Sequence, residues 1–183
     1  MEFKKPKQKK CAICSAMFTP FQTTQRVCSI SCAQKHAEAV ATKKMRQEIR
    51  QAKEALKTRQ DWIREAQRWF NRYIRLRDKD ETCISCDKPS TWNGQWHASH
   101  YRSTGACPEL RFEELNCHKS CSQCNNFLSG NIIPYRKRLV SKIGADNVDW
   151  LEGSHKAKKY TIEELQEIKK IYKNKCKELE SER

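Results

Sequence analysis

The residues most able to do chemistry lie between two cysteine pairs, Cys83-Ile-Ser-Cys86 and Cys121-Ser-Gln-Cys124. They are His97, His100, Asn116 and His118, with Asn125 directly after the second pair. Four thiolates close a tetrahedral zinc site and leave no open position for water, so the cysteines act as a staple. Any reaction then falls to the groups between them. A neutral imidazole is a suitable base for an attacking water near pH 7. A divalent ion on a scissile phosphate would polarise it and stabilise the leaving oxygen. In Trp96-His97-Ala98-Ser99-His100-Tyr101, strand parity sends His97 and His100 to opposite faces. One then faces a metal and the other the attacking water. Asn116 is expected to orient the base, and Asn125 or His118 to complete the metal shell.

A second quartet, Cys11-Ala-Ile-Cys14 and Cys28-Ser-Ile-Ser-Cys32, stands near the N-terminus without such residues inside it. It reads as a structural zinc finger, with Phe18 and Phe21 as its small core. Its surface is either a DNA contact or only a fold-stabilising knob. Eight of the eleven cysteines fall into these hooks, which is metal arithmetic in a reducing compartment. Cys107, Cys117 and Cys176 are left over as packed or free thiols, with Cys117 close enough to His118 to stay open as a ligand.

The chain has 183 residues and a formal net charge of +15, spread along its length. Such a field attracts polyanions, and together with zinc modules it points to nucleic acid. No stretch resembles a signal peptide or a membrane span, so a cytoplasmic location is expected. Only 37% of residues are apolar, a modest core that metal staples would support.

The elements that must position these groups follow from periodicity and caps. Ala33 to Arg77 holds no proline or glycine and is rich in helix formers. Its first part, with Lys43, Lys44, Arg46, Arg50, Lys53, Lys57 and Arg59, reads as an exposed basic linker. Asp61 is the expected N-cap of a second helix, whose Trp62, Ile63, Ala66, Trp69, Phe70, Tyr73 and Ile74 recur at helical spacing and should pack on the second zinc module. Short strands are expected around residues 95–101, a helix from about Cys121, another over 135–143 and a short turn over 146–151. Thr161-Ile-Glu-Glu164 opens a last helix with a capping box.

The layout Cys-x-x-Cys, His, Asn, Cys-x-x-Cys-Asn resembles a zinc-supported HNH endonuclease of the ββα-metal fold. More closely, His100-Tyr101-Arg102, Leu110-Arg111-Phe112, Asn116-x-His118, Cys121-x-x-Cys124-Asn125, Ser129-Gly130-Asn131 and Pro134-Tyr135-Arg136 resemble the lambdoid-phage NinG (Rap) recombination proteins, over nearly the whole chain. The resemblance implies an α+β, mostly helical chain: a basic arm and four-cysteine zinc finger over 1–32, a basic helical linker over 33–60, and a helix-flanked HNH-like domain over 61–183. It implies a magnesium- or manganese-dependent endonuclease that nicks branched DNA such as Holliday junctions and D-loops, with two structural zincs. His100 would be the base and Asn116 the middle Asn. Asn125 would stand where the third His usually lies, and His97 would bind metal. Ser99 occupies a position that is commonly acidic, which weakens the metal shell as read from the motif.

Arg102, Arg111, Arg136, Lys137 and Arg138 are the expected phosphate clamps, giving affinity without sequence discrimination. Two symmetric nicks would suit a homodimer, and recombination proteins are natural partners. The competing readings are a non-catalytic zinc-finger protein that binds nucleic acid, and a sequence-specific HNH nuclease acting on linear duplex.

Overall fold

A computed structural model describes residues 7–181, so residues 1–6 of the basic arm lie outside the described residues. The chain divides into two compact units, one up to Lys57 and one from Thr58 onward.

In the first unit, β1 (Lys9–Lys10) pairs antiparallel with β2 (Met17–Phe18). Ser15, at φ 61°, turns the chain just after the first two thiols. The finger and the linker helix are not separate pieces. Helix α1 (Ile30–Ala55) starts inside the second hook and carries Cys32 as its one buried residue. Ser29 fixes that start, its hydroxyl accepting the Cys32 N–H at 3.3 Å. Phe21 is 94% exposed and contributes nothing to the expected finger core.

The second unit begins with α2 (Arg59–Arg77). Its N-cap is Thr58 and not Asp61. Asp61 sits three residues into a capping box, its carboxylate accepting the Thr58 N–H at 2.9 Å while its own N–H bonds the Thr58 hydroxyl at 3.3 Å. The apolar stripe of α2 packs chiefly on α5 (Ile162–Ser181), and its Phe70 and Ile74 also reach the strands between the two central hooks. Glu65 meets Lys169, Trp69 meets Cys176 and Arg72 meets Glu180, so the two helices climb in parallel. The expected Thr161 capping box opens α5, with Thr161 N–H to Glu164 at 2.8 Å and the reciprocal bond at 3.2 Å.

Between these helices in sequence lies the hairpin of β3 (Trp96–His100) and β4 (Cys117–Cys121). Its register is Trp96 to Cys121 and His100 to Cys117. Phe70, Ile74 and Tyr172 cover one face with Ala98 and Cys117. On the other side α3 (Ile132–Ile143) and α4 (Ala145–Glu152) bring Tyr135, Leu139, Val148 and Leu151 against Ile84, Tyr101 and Leu110. Covered on both faces, β4 is buried at all five residues. Phe70 and Leu139 are fully buried, each worth roughly 2–3 kcal/mol.

Directly after β4 the chain forms a π-helical turn, Gln123–Phe127, in place of the expected α-helix. Ser129, Gly130 and Asn131 then take successive positive φ values of 49°, 88° and 50°, which no continuing helix accommodates. The fold is therefore mixed α/β and mostly helical, with two cysteine clusters.

A buried carboxylate ties these layers. Asp78, the C-cap of α2, accepts Arg77 Nε at 2.7 Å and the Lys119 N–H of β4 at 3.0 Å, with Lys142 of α3 at 3.7 Å. Burial alone would raise its pKa, but the Arg77 guanidinium and the Lys142 ammonium hold it well below the ordinary carboxylate value. A depressed carboxylate contributes stability above its unfolded pKa of about 3.9 and loses it as pH falls toward the folded value. Asp78→Asn is expected to lower the urea unfolding free energy by about 3 kcal/mol at pH 7. Acidification from about pH 5 to pH 2 should then cost the parent more stability than the variant. Equal acid sensitivity in the two proteins would remove Asp78 from the account.

Candidate functional site

The two quartets come together as the spacing requires. Within each, the four sulfurs lie within 4.8 Å of one another. The Cys14–Cys28 separation is 3.4 Å, Cys28–Cys32 is 3.8 Å and Cys86–Cys121 is 3.7 Å. A tetrahedral zinc with Zn–S bonds of about 2.3 Å needs sulfurs about 3.8 Å apart. The donors therefore fit zinc.

Polar groups also stabilise the thiolates. Burial opposes ionisation of Cys83, yet the Cys121 N–H at 3.3 Å, the Ser120 hydroxyl at 3.6 Å and the Ser85 N–H bring it down to about 7. In the first quartet the backbone N–H groups of Cys14 and Ile13 lower Cys11 to about 6. The central hooks are braced from outside as well. Ser85 donates to the Gly130 carbonyl and Asn131 to the Ser85 carbonyl, each at 2.8 Å. Arg138 holds the Cys83 and Cys86 carbonyls at 3.3 and 3.0 Å and pairs with Asp87.

The hairpin puts His97 and His100 on opposite faces, as parity requires. His100 turns toward α2 and stacks on Phe70 with ring centroids 5.9 Å apart. Its Nε2 donates to the Arg111 carbonyl at 2.9 Å, which places the lone pair on Nδ1. Nδ1 meets only the Cys117 thiol, at 3.8 Å. Burial holds His100 below its ordinary pKa, although the Arg111 carbonyl pulls the other way, so the ring is neutral at pH 7.

Asn116 does not touch His100. It is fully buried and staples the 101–116 loop, its Oδ1 accepting the Arg102 N–H at 2.7 Å. Its Nδ2 donates to the Arg102 and Leu110 carbonyls at 3.0 and 3.1 Å. Leu110 adjoins Arg111, so Asn116 anchors the segment whose next carbonyl receives His100.

The expected catalytic metal shell does not assemble. His118 donates through Nε2 to the Leu115 carbonyl at 3.1 Å, and its Nδ1 accepts Arg77 at 3.1 Å. Asp78 lies 3.7 Å from Nδ1, too far for a hydrogen bond. Neither ring nitrogen of His118 is left for a metal. The Asn125 amide donates to Asn126 at 2.8 Å. His97 alone among these residues keeps a buried, unpartnered Nε2. Among the described residues, the cysteine quartets are the only groups of three or more His, Cys, Asp or Glu that converge on one point. These side chains do not fit a divalent ion by themselves.

Most of the expected phosphate clamps are engaged by protein acceptors. Arg111 reaches Gln67 and the Thr104 carbonyl, each at 3.3 Å. Arg136 pairs with Glu152 at 2.7 and 2.9 Å, and Arg138 braces the hooks. Arg102 lies against the Cys107 thiol. Lys137 is exposed. The basic cleft that sequence reasoning missed lies on α2, lined by Arg68, Trp69, Arg72 and Arg75. Its signal was the arginine spacing of four and three along a helix otherwise read for its apolar stripe.

Comparison with known proteins settles the family. The model described as "Bacteriophage Lambda NinG protein" matches residues 3–182. The chain belongs to the NinG family. It is 40% identical to "Protein ninG" of Escherichia phage 933W over 98% of this chain and 97% of that protein. It is 48% identical to the "Protein ninG" of Escherichia phage lambda over 70% of this chain and 62% of that one. For Salmonella phage P22 the figure is 47%, over 70% and 63%. No solved structure matches. No helix among the described residues is long and apolar enough to cross a membrane.

The five tryptophans all lie beyond residue 58, so their fluorescence reports on the second unit alone. Purified protein should carry two zinc ions per chain. Cys14→Ser is expected to remove one and leave the tryptophan-detected melting temperature unchanged. Cys83→Ser should remove the other and lower that temperature by about 10 °C or more, since small metal modules fold largely on metal binding. An unaltered melt with verified loss of the second zinc would contradict the structural role.

Proposed function

We propose that this NinG-family protein is an endonuclease of phage recombination that nicks branched DNA, with His100 as the base that activates water. One observation supports this most: the relay from Asn116 through the Leu110–Arg111 segment to His100. It holds a neutral imidazole in one tautomer, with Nδ1 turned toward the buried Cys117 thiol, a weak contact that must open to admit a water or substrate oxygen. Catalytic hydrogen bonds are often long before substrate arrives. The order of His100, Asn116 and Asn125 around the second quartet also follows the HNH pattern named above. The net charge of +15 suits a polyanionic substrate.

In this reading His100 takes the proton of the attacking water at Nδ1. Arg111 keeps the ring oriented through its carbonyl, and Asn116 anchors the neighbouring Leu110 carbonyl. The quartet zincs hold the scaffold and take no part in the chemistry. A magnesium or manganese ion brought to the substrate phosphate would neutralise developing charge. Such an ion depends on substrate oxygens, because the chain's own residues do not build its site.

A second reading, a non-catalytic zinc protein that binds nucleic acid, is favoured by the missing divalent cluster among the described residues. The two separate on a synthetic four-way junction. With magnesium or manganese the parent should nick, and with EDTA it should only bind. His100→Ala is expected to lose about 100-fold or more in cleavage rate while binding the junction as the parent does. Asn116→Ala is expected to lose cleavage and also about 2–3 kcal/mol of stability, since it leaves buried partners unsatisfied. Binding without cutting in either metal selects the second reading, and full activity of His100→Ala removes the proposed base. Cutting of plain duplex at a fixed sequence, without preference for branches, would instead favour a sequence-specific nuclease.

A further inference from the structure

Arg68, Arg72 and Arg75 follow one another at helical spacing on α2 and share one face. With Trp69 they line an open cleft of about 300 Å³. Arg72 lies 5.5 Å from the Trp69 ring centroid, and Lys173 of α5 approaches the same ring at 5.8 Å. Two cations thus flank the indole, and two further arginines line the same cleft.

The cleft is short of negative charge. Glu180 is bound to Arg72, through Nε at 3.2 Å and a terminal nitrogen at 2.5 Å. Among the described residues, neither Arg68 nor Arg75 pairs with a carboxylate. Arg75 is partly buried and has Arg72 for a neighbour, and both burial and that like charge disfavour its cationic form. A guanidinium held against another, away from full hydration and without a counter-charge, is an unfavourable arrangement in the free protein. An anion entering the cleft would relieve it. The planar donor forks of the three arginines match the oxygens of a phosphate.

The position is also informative. Helix α2 packs against β3, the strand that carries His100, with Ile74 next to Arg75 in that packing. The cleft therefore lies on an element that touches the hairpin. The guanidinium groups of Arg111, Arg136 and Arg138 are occupied by protein acceptors, whereas those of Arg68 and Arg75 face the cleft without one.

We propose that the α2 cleft lined by Arg68, Trp69, Arg72 and Arg75 binds a backbone phosphate of the DNA and holds the strand alongside the hairpin. The proposal rests on the DNA reading above but not on catalysis. The flat Trp69 face, already engaged by cations, forms the floor. The arginines supply the donors, and Glu180 keeps Arg72 extended.

The test is binding in EDTA, read by fluorescence anisotropy of a labelled four-way junction across a potassium chloride series. Arg68→Ala/Arg75→Ala is expected to bind about 10-fold or more weakly, and its plot of log affinity against log salt should flatten by about 1–2. Arg68→Ala alone, at an exposed position, should give a smaller change of the same sign and guards against a folding defect in the double variant. A second arm uses inorganic phosphate, which should raise the parent's melting temperature and not the double variant's. Parent binding with unaltered affinity and slope in both variants overturns the proposal, whatever the cleavage result. Loss of phosphate protection with DNA binding intact would assign the cleft to free phosphate and overturn the DNA assignment. If the parent binds no DNA at all, the proposed function fails first, and the cleft fails with it.

Discussion

The carboxylate of Asp78 is the point on which the second unit turns. It ends α2, receives a backbone N–H of β4 and faces a lysine of α3, so three layers meet at one side chain. Its partner Arg77 goes further, reaching the Glu114 and Cys117 carbonyls at 3.1 and 2.9 Å as well as His118. Those acceptors lie where the central loop enters β4. The ion pair thereby sets where β4 starts, and the antiparallel register passes that choice to His100 on β3. An ion pair at this depth carries a large desolvation cost, which its several hydrogen bonds must offset. Its evident use is in specifying one arrangement of the layers.

The central quartet acts on the same hairpin from the other end. Its cysteines come from a loop before β3 and from the end of β4 and the turn after it, so metal there closes the sheet where Asp78 does not reach. The quartet and the ion pair bracket a strand whose five residues are all buried. Between them the Asn116 staple organises a loop with little regular structure, using side-chain hydrogen bonds where no ladder is available. The imidazole of His100 inherits its orientation from all three.

Much of this was legible in the residues. Cysteine spacing located both metal clusters, and Thr161 with Glu164 marked the start of α5, because those signals are local. Parity correctly separated His97 from His100. What failed was the allotment of partners. Arg136 and Arg138 look like free cations until Glu152 and the Cys83 carbonyl arrive from 16 and 55 residues away. His118 reads as a ligand until Arg77 and Leu115 occupy its nitrogens. The stripe on α2 and its contact with the central module were recognised, but its larger counterpart α5 was not, since nothing local points to a helix so distant in the chain. Asp61 was a natural cap by type, and Thr58 took that place because the reciprocal box satisfies two backbone donors.

The parallel pairing of α2 with α5 has a temporal consequence. Its polar contacts join residues 104 and 108 apart, with the hairpin, α3 and α4 between them in the chain. During synthesis α2 leaves the ribosome long before its partner exists, with Trp62, Phe70 and Ile74 uncovered. Closing so distant a contact is entropically slow. The hairpin rests on the surface those two helices make together. A nascent chain that already holds the central quartet, His100 and Asn116 therefore still lacks part of the floor beneath the hairpin until α5 emerges and docks.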